Sequence, residues 1–273
     1  MELAYKNEKQ TFYTTIVTCY FSLNSKHSRE NYKKWIHNML SNIETGMIIF
    51  TDEESYDYIV ESRGKYIKNT HIIITSLDRF HTYKYQEDWV RHHKLFDPEK
   101  NIHSPELYMI WAEKSHFLKQ AIEINTFESD YFMWCDIGCF RNRQQQGDIP
   151  LDKIKHFPLE EKVKKCSSDK VYLTQTGSFH PLCYQLGDDG LTKLEFTHIS
   201  ASIGGTMFLG HKDILLKWHD VYYNTIQIFI KKNRFIGKDQ NIMANITVSH
   251  PEMVFVIKAS YNDPWFFFHW LFT

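Results

Sequence analysis

The chain has 273 residues, 42% of them hydrophobic, which is enough for one large core and predicts a single domain over 1–273. A formal net charge of -1 excludes a protein that depends on overall positive charge to bind nucleic acid. Five scattered cysteines exclude a disulfide framework and indicate a reducing compartment. The sequence shows neither a signal peptide nor an apolar run of the ~20 residues that span a bilayer, so we expect a cytoplasmic protein, bacterial or viral.

The N-terminal part of the chain alternates between apolar runs and helical stripes, which is typical of βαβ units and a largely parallel sheet. The runs are apolar without alternation, as expected for strands that are covered on both faces. We predict strands at 13–20, 46–51 and 71–75 and helices at 27–43 and 56–63.

A well-marked helix follows segment 80–103, for which the pattern predicts no element. Ser104 is a typical N-cap and Pro105 a typical first helical residue, so we expect a helix from there to about Asn125. The apolar run 131–135 predicts a central strand.

The second half of the chain mixes long loops with the remaining elements. Segment 142–168 is highly charged and predicts a solvated insertion with a short helix. Segment 176–198 is rich in Gly, Asp and His and predicts a loop or mobile flap. Other predicted elements are strands at 170–175, 203–209 and 254–257 and helices at 212–230 and 239–246.

The strongest candidate for a functional site is Asp136, which stops the apolar run 131–135. An acid at the end of a buried parallel strand lies where open α/β sheets bind ligands, and a carboxylate suits a hard divalent cation between phosphates. Gly138 leaves room for a ligand near the backbone, and Arg141 could pair with phosphate or hold the carboxylate. The alternative is that Asp136 only caps a turn.

Lys114 is a second candidate because it falls on the apolar stripe of the helix that precedes this strand. An inward lysine must extend its ammonium to solvent, pair with a carboxylate or bind a ligand anion. The position next to the Asp136 strand makes a ligand a serious alternative to solvent.

Further candidates lie in the C-terminal half. Gly204 and Gly205 fall inside a predicted strand, where they indicate close approach of a ligand or another backbone, or else a bulge. Asp239 and Gln240 could hold sugar hydroxyls, and Asp239 could also be a base or simply a helix N-cap.

The C-terminal stretch 263–270 is strongly aromatic. Core packing is its default explanation, while membrane-interface anchoring and His269 as a metal ligand are alternatives. The absence of a basic stripe argues against membrane association, which we do not expect.

Together these segments resemble the HtrL/YibB-like family, a bacterial and viral group placed among GT-A glycosyltransferases. The most specific piece is Trp-x-Asp-x-Gly at 134–138, and the resemblance covers nearly the whole chain. The matching segments are 16–21, 49–52, 104–108 with Trp111 and Lys114, 134–138 with Arg141, 204–206, and 238–240.

This resemblance implies an α/β fold of the GT-A (Rossmann-like) type, with a mixed, mostly parallel central sheet flanked by helices. It places nucleotide-sugar binding at about 11–141 and acceptor binding and catalysis at about 170–273. The implied reaction moves a hexose from a nucleoside-diphosphate sugar, UDP-sugar first, to a hydroxyl of a glycan or other acceptor.

A divalent metal, Mn²⁺ or Mg²⁺, is also implied. Many GT-A enzymes carry two acids in Asp-x-Asp, whereas Gly138 stands at the second position here. The metal would therefore depend on Asp136 and a distant ligand such as His269. Asp136 and the metal would neutralise the diphosphate as the nucleotide leaves.

The remaining roles follow from the same resemblance. Cys19 and Tyr20 would face the base of the donor and Asp52 the nucleoside, while Lys114 and Arg141 would assist the phosphates. The three glycines and Gln240 would lie against the donor.

The base that accepts the acceptor proton is expected to be Asp239, with Asp189 in the Asp188–Asp189 loop as its rival. Segment 176–198 would fold over the donor and exclude water. Two other functional classes stay open, namely a nucleotide-sugar-binding protein without catalysis and a membrane-associated interaction module that uses the aromatic C-terminus.

Overall fold

A seven-stranded sheet runs through the centre of the computed structural model, which describes residues 10–23, 26–142, 148–195, 203–259 and 264–273. The strands lie in the order β3-β2-β1-β4-β6-β5-β7. Their bounds are β1 Thr14–Tyr20, β2 Met47–Thr51, β3 Thr70–Ile74, β4 Tyr131–Cys135, β5 Val171–Gln175, β6 Met207–His211 and β7 Val254–Lys258.

Only β6 runs against the other six strands in the described sheet. It pairs antiparallel with β4 and β5, while the β1–β2, β1–β4, β2–β3 and β5–β7 pairs are parallel. The mixed, mostly parallel sheet that the sequence predicts is therefore confirmed. The chain builds from β1 towards β3 on one side and places β4 on the other side of β1, so its direction of growth switches between β1 and β4.

Helices cover both faces of the sheet, as the uniformly apolar strands predict. One core contains Val17 and Trp134 and is covered by α3, α4, α6 and α7. The second core, on the opposite face of the sheet, contains Ile16 and Met133 and is covered by α1, α2 and the C-terminal α8. The helices are α1 Arg29–Asn42, α2 Tyr56–Arg63, α3 Gln86–Phe96, α4 Pro105–Ile124, α5 Glu160–Val163, α6 Lys212–Lys231, α7 Asp239–Ser249 and α8 Phe268–Leu271.

The caps of α4 are the ones that the sequence predicts. The Ser104 side chain accepts a hydrogen bond from the Leu107 N–H, Pro105 is the first helical residue, and Asn125 ends the helix with a left-handed backbone at φ 39°. Helix α1 begins at Arg29, two residues later than predicted, because Ser28 caps it through the Asn31 N–H.

Two segments differ from the sequence predictions. Segment 80–103 contains α3, whose helical pattern is weak because only Trp89 and His92 are buried on it. Segment 148–168 is not a solvated insertion, since Ile154, Phe157 and Val163 are fully buried in the second core. Dense charge around these isolated apolar residues hides their burial in the sequence.

Strand β6 begins at Met207, so Gly204 and Gly205 precede it and do not lie inside it. Ile203 makes an isolated bridge to Gln175, and the ladder with β4 begins only at Met207 opposite Cys135. The intervening residues leave the strand path and approach α4, as described below.

The described part of the predicted flap, 176–195, packs against α7 and the residues that follow α6. The Thr192 N–H donates to Asn245 Oδ1 over 2.9 Å, and Arg234 Nη1 donates to the Thr192 carbonyl over 2.7 Å. The rest of the predicted flap, 196–198, lies outside the described residues. Across the part of the chain that the structure describes, no helix is long and apolar enough to cross a membrane.

The aromatic C-terminus is part of the core. Phe266, Phe267, Phe268 and Phe272 are all buried, and all of them except Phe267 belong to the second core. Core packing, the default explanation for this stretch, is therefore confirmed for Phe266, Phe267 and Phe268, whereas Trp270 is exposed.

Candidate functional site

Two adjoining cavities open at the carboxyl ends of β1 and β4, where the growth direction of the sheet switches. Such a switch point is the usual ligand-binding position in open α/β sheets. The first cavity has a volume of about 740 Å³ and lies against the β1 end and α1. The second, of about 480 Å³, lies against the α7 start and the C-terminal segment. Both are lined by Trp111, Lys114, Asp136, Arg141, Thr206 and Phe266.

Lys114 forms the centre of the site, between the two cavities. Its Nζ lies 3.1 Å from Asp136 Oδ1 and 2.9 Å from Asp239 Oδ2, and it donates a hydrogen bond of 2.8 Å to the Gly205 carbonyl. The four groups come from α4, the end of β4, the start of α7 and the turn before β6. Among the alternatives that the sequence leaves open for Lys114, the structure therefore shows pairing with carboxylates.

The charges of this cluster support one another. The Lys114 side chain is only 6% exposed, and burial alone would lower its pKa, but the charges of Asp136 and Asp239 outweigh burial and raise the pKa. Burial raises the pKa of Asp136, and the neighbouring ammonium opposes that shift. Two carboxylates and one ammonium leave one net negative charge, so an anionic ligand here needs further cations.

Asp136 faces both cavities and is firmly positioned. Trp134 Nε1 donates to Asp136 Oδ1 over 2.7 Å, and the Asp136 N–H donates to the Thr206 carbonyl over 2.8 Å. Its side chain is nevertheless 33% exposed, unlike that of Asp239 at 6%. Asp136 is thus the more exposed acid of the cluster, and its side chain pairs with Lys114 and does more than cap a turn.

Asp239 is not the N-cap of α7. The cap position belongs to Lys238, and Asp239 is the first helical residue, with Oδ1 accepting from the Gln240 N–H and Oδ2 paired with Lys114. The Asp239 side chain points to the Lys114 ammonium, because a buried carboxylate without a charged partner would be destabilising.

Gly205 is required by this arrangement. A Cβ atom on Gly205 would come within 2.6 Å of Asp239 Oδ2, so a side chain there would displace the carboxylate. The close approach that the sequence predicts at Gly205 is therefore made by a side chain of the protein itself. Gly204 donates its N–H to the Thr174 carbonyl over 2.8 Å and does not line either cavity.

Arg141 is held at the boundary of the two cavities by aromatic rings. Its guanidinium lies 4.4 Å from the Trp35 ring centroid and 5.2 Å from that of Phe266, and Nε donates to the Gly138 carbonyl over 3.3 Å. Gly138 lines the first cavity, where an added Cβ would meet Trp35 at 3.5 Å, an ordinary contact.

The first cavity contains several residues predicted for the donor. Cys19 and Tyr20, at the end of β1, line it. Burial raises the pKa of the Cys19 thiol, so it stays protonated. Asp52 lies outside the lining, because its two oxygens accept from the N–H groups of Ser22 and Ser55 and tie two loops together.

The remaining predicted residues divide between the cavities and other places. Gln240 lines the second cavity. Asp189 does not line either one: its Oδ1 accepts from the Leu191 N–H and its Oδ2 lies 3.7 Å from Lys232 Nζ, while Asp188 is exposed. The structure does not bring the Asp188–Asp189 loop to the site.

His269 is buried between aromatic rings and does not line either cavity. Its ring stacks on Phe140 with centroids 4.0 Å apart and lies parallel to Phe266 at 5.6 Å. Within the described ranges, no group of three or more His, Cys, Asp or Glu side chains is arranged to hold a metal. Within the Lys114 cluster, the more exposed carboxylate that could hold a cation is that of Asp136, while Glu106 and Glu99 lie elsewhere in the cavity walls.

Sequence reasoning missed much of the second cavity. Its wall includes Glu99, His103, Lys238 and Trp265, none of which was proposed as a site residue. His103 directly precedes the Ser104 N-cap of α4, and this adjacency to the helix that carries Lys114 is the one signal that could have indicated it. The Cys135 and Cys139 thiols are buried, with their sulfurs 3.2 Å apart.

Among solved structures, the chain is similar to mouse xyloside xylosyltransferase 1 in its apo form, with a TM-score of 0.47, 10% identity and coverage of 89% of this chain and 84% of that chain. It is also similar to 4-diphosphocytidyl-2C-methyl-D-erythritol synthase from Anaerococcus prevotii, with a TM-score of 0.40, 13% identity and coverage of 93% and 91%. No curated protein matches the sequence.

A family model described as "Bacterial protein of unknown function (HtrL_YibB)" matches residues 12–272, which is nearly the full length of the chain. The resemblance inferred from the sequence is therefore confirmed, and the chain belongs to the HtrL_YibB family.

Proposed function

We propose that this protein is a glycosyltransferase that moves a hexose from a nucleoside-diphosphate sugar, UDP-sugar first, to a hydroxyl of a glycan or other acceptor. The observation that carries the proposal is the Lys114–Asp136–Asp239 cluster between two cavities at the sheet switch point. One cavity is large enough for a nucleoside and the other offers a separate approach to the same centre, as a two-substrate transfer requires.

In this proposal the nucleoside diphosphate occupies the first cavity. Tyr20 and Tyr32 supply aromatic surface for the base, and Arg29 and Arg141 line the same cavity as Lys114. These cations face the negative charge that develops on the diphosphate as the bond to the sugar breaks. Arg141 is already fixed by Trp35 and Phe266, so it meets the phosphate without first losing side-chain freedom.

Asp239 is suited to orienting the donor sugar. It lies in the second cavity at the junction, and its carboxylate is fixed by the ammonium and by the Gln240 N–H. A fixed carboxylate accepts hydrogen bonds from sugar hydroxyls without reorganising.

A divalent ion, Mn²⁺ or Mg²⁺, remains part of the proposal. The cluster carries one net negative charge, so a cation shared by Asp136 and the donor phosphates would make diphosphate binding electrostatically favourable. When bound, such an ion supplies Lewis-acid stabilisation of the leaving phosphate. His269 would need to leave its aromatic stack to take part, so Asp136 is the proposed ligand.

The test is calorimetric titration with UDP, GDP and CDP, with and without Mn²⁺. We expect one nucleotide to bind and Asp136→Asn to lose at least tenfold in affinity. Asp130→Asn is the matched control, because Asp130 precedes the same strand at its opposite end and pairs with Lys212 over 2.8 Å. If no nucleoside diphosphate binds with or without Mn²⁺, the enzyme proposal is contradicted while the fold stands.

A further inference from the structure

The proposed reaction needs a group that takes the proton from the acceptor hydroxyl, and the two acids predicted for this role are unsuited to it. Asp239 has a side chain that is only 6% exposed, and its Oδ2 is already occupied by the Lys114 ammonium at 2.9 Å. Asp189 does not line either cavity. This inference rests on the proposed function and asks which other side chain can act as base.

His103 lies in the second cavity and is held by a carboxylate. Its Nδ1 is 2.9 Å from Asp97 Oδ2, and its side chain is 12% exposed, whereas that of Asp97 is fully buried. Its ring packs nearly perpendicular to that of Trp111, with ring centroids 5.2 Å apart. Trp111, Lys114 and Asp239 line the same cavity as His103.

Asp97 is itself fixed on both oxygens. The Tyr108 hydroxyl donates to Oδ2, and the Glu99 N–H donates to Oδ1 over 2.8 Å. Burial alone would raise the pKa of Asp97, but these hydrogen bonds and the one with His103 outweigh burial and lower it. Asp97 is therefore ionised near neutral pH and accepts the Nδ1–H of His103, which leaves Nε2 as the nitrogen with a free lone pair.

We propose that His103 is the general base of the transfer, positioned by Asp97, and that the second cavity is the acceptor site. The acceptor oxygen forms a bond to the anomeric carbon as its proton passes to His103 Nε2. The bond between the anomeric carbon and the phosphate oxygen breaks, and its electron pair stays on the leaving nucleoside diphosphate. Asp97 then faces an imidazolium, which its negative charge stabilises.

The residues around His103 also indicate the chemical class of the acceptor. The wall around His103 combines the indole rings of Trp111 and Trp265 with Glu99 and the amide of Gln240. Aromatic faces flanked by hydrogen-bonding groups suit a sugar ring, which has both C–H faces and hydroxyl edges. The acceptor is accordingly a saccharide hydroxyl.

The experiment measures release of nucleoside diphosphate from UDP-glucose, UDP-galactose and UDP-N-acetylglucosamine, first with water and then with methyl β-D-galactoside as acceptor. For His103→Ala we expect kcat to fall by about 10²–10⁴-fold, with unchanged nucleotide affinity in the calorimeter. Added imidazole should restore part of the lost rate, since it can fill the space of the missing ring. Asp97→Asn should lower kcat without changing the donor KM, and imidazole should not restore it.

His250→Ala is the matched control, because His250 also pairs with a carboxylate, Glu252, over 3.3 Å but lies outside both cavities. It should keep the wild-type rate and show no response to imidazole. Turnover by His103→Ala at the wild-type rate, or a loss that imidazole does not reverse, would overturn the assignment of His103 alone. Failure of the wild-type protein to release nucleotide with either acceptor would overturn the transferase proposal itself.

Discussion

Two buried cations lie at opposite ends of the sheet, and they are held in different ways. Arg63, at the amino end of β2, is fully buried and donates to the Leu40 and Thr45 carbonyls over 2.9 and 2.8 Å and also to the Ile43 carbonyl. Lys114, at the carboxyl end of β4, is paired with two carboxylates and faces two cavities.

The difference shows how a buried cation with a structural role can be told from one that is a candidate for function. Arg63 is held by neutral acceptors only, the three carbonyls and the Thr70 hydroxyl, to which its Nε donates over 2.6 Å. It does not line either cavity, so its role is to join α1, β2 and β3. Lys114 is paired with two ionised carboxylates and lines both cavities, so an anionic ligand in a cavity could take the place of a carboxylate or bind beside it. A buried cation with charged partners at a cavity is a functional candidate, whereas one held by carbonyls is a structural tie.

The largest expected effect is a loss of activity when the Lys114 ammonium is removed. We expect Lys114→Met to reduce transfer by about 10²–10³-fold, because the phosphate loses a fixed positive charge. The measurement is nucleotide release under saturating donor, with Lys119→Met as control, since Lys119 lies on the same helix and pairs with Glu123 near the surface. Transfer by Lys114→Met at the wild-type rate would show that the cluster is structural only.

The second prediction removes Arg63, the buried cation with a structural role. We expect Arg63→Met to lower the free energy of unfolding by about 3–5 kcal/mol, because several buried carbonyls lose their donor. Urea denaturation measures this, and nucleotide affinity below the transition should be unchanged. A loss of affinity in folded Arg63→Met would show that the two ends of the sheet are coupled and that Arg63 is more than a structural tie.

Gly205 and Gly138, both at the carboxyl ends of the strands, are expected to differ in how well they tolerate a side chain. Gly205→Ala places a Cβ within 2.6 Å of Asp239 Oδ2, so we expect it to lower the free energy of unfolding by about 1–3 kcal/mol and to weaken transfer. Gly138→Ala makes contacts of 3.5 and 3.6 Å with Trp35 and Tyr32 and should be tolerated. Thermal unfolding and nucleotide release of the two variants, measured side by side, check this ranking.

The smallest expected effect concerns His116, two residues after Lys114 on α4. Burial and the neighbouring His81 and His219 lower the pKa of His116 to about 3, so the imidazole stays neutral where the lysine stays charged. A folded pKa below the unfolded value means that the unfolded chain binds more protons, so this contribution to stability is lost as pH falls from about 6.5 towards 3.

We therefore expect His116→Gln to lose less stability than the wild type on acidification. The difference should reach at most about 1.4 kcal/mol per pH unit, the value for one proton. Urea denaturation of both proteins at pH 7.5, 6.5 and 5.5 measures it. Equal slopes would show that folding does not lower the pKa of His116.

Features of the site that depend on local sequence could be predicted. Apolar runs gave the strand ends, so the place of Asp136 followed from the run that it terminates. The stripe of α4 showed that Lys114 points inward and must find a partner. The caps of α4 were predictable for the same reason, since each involves residues within one turn of the chain.

Features that depend on distant parts of the chain could not be predicted. Nothing near Lys114 indicates that Asp239, on another helix, supplies its second carboxylate. The glycines before β6 showed a close approach but not that the partner was that same carboxylate. His103 belongs to no periodic element, so only the folded chain brings it to the cavity.

The reversed direction of β6 has a consequence for how the protein can diversify. Because β6 is antiparallel to β4, the chain leaves the site after Asp136 and returns to it at Thr206, where the Asp136 N–H and the Thr206 carbonyl hydrogen-bond over 2.8 Å. The two ends of the connection between β4 and β6 are thus hydrogen-bonded to each other. Changes in the parts of this connection that lie away from Gly138, Arg141 and Gly205 would leave the spacing of Lys114 and Asp136 intact, so the connection can be remodelled for new recognition while the ion pair is kept.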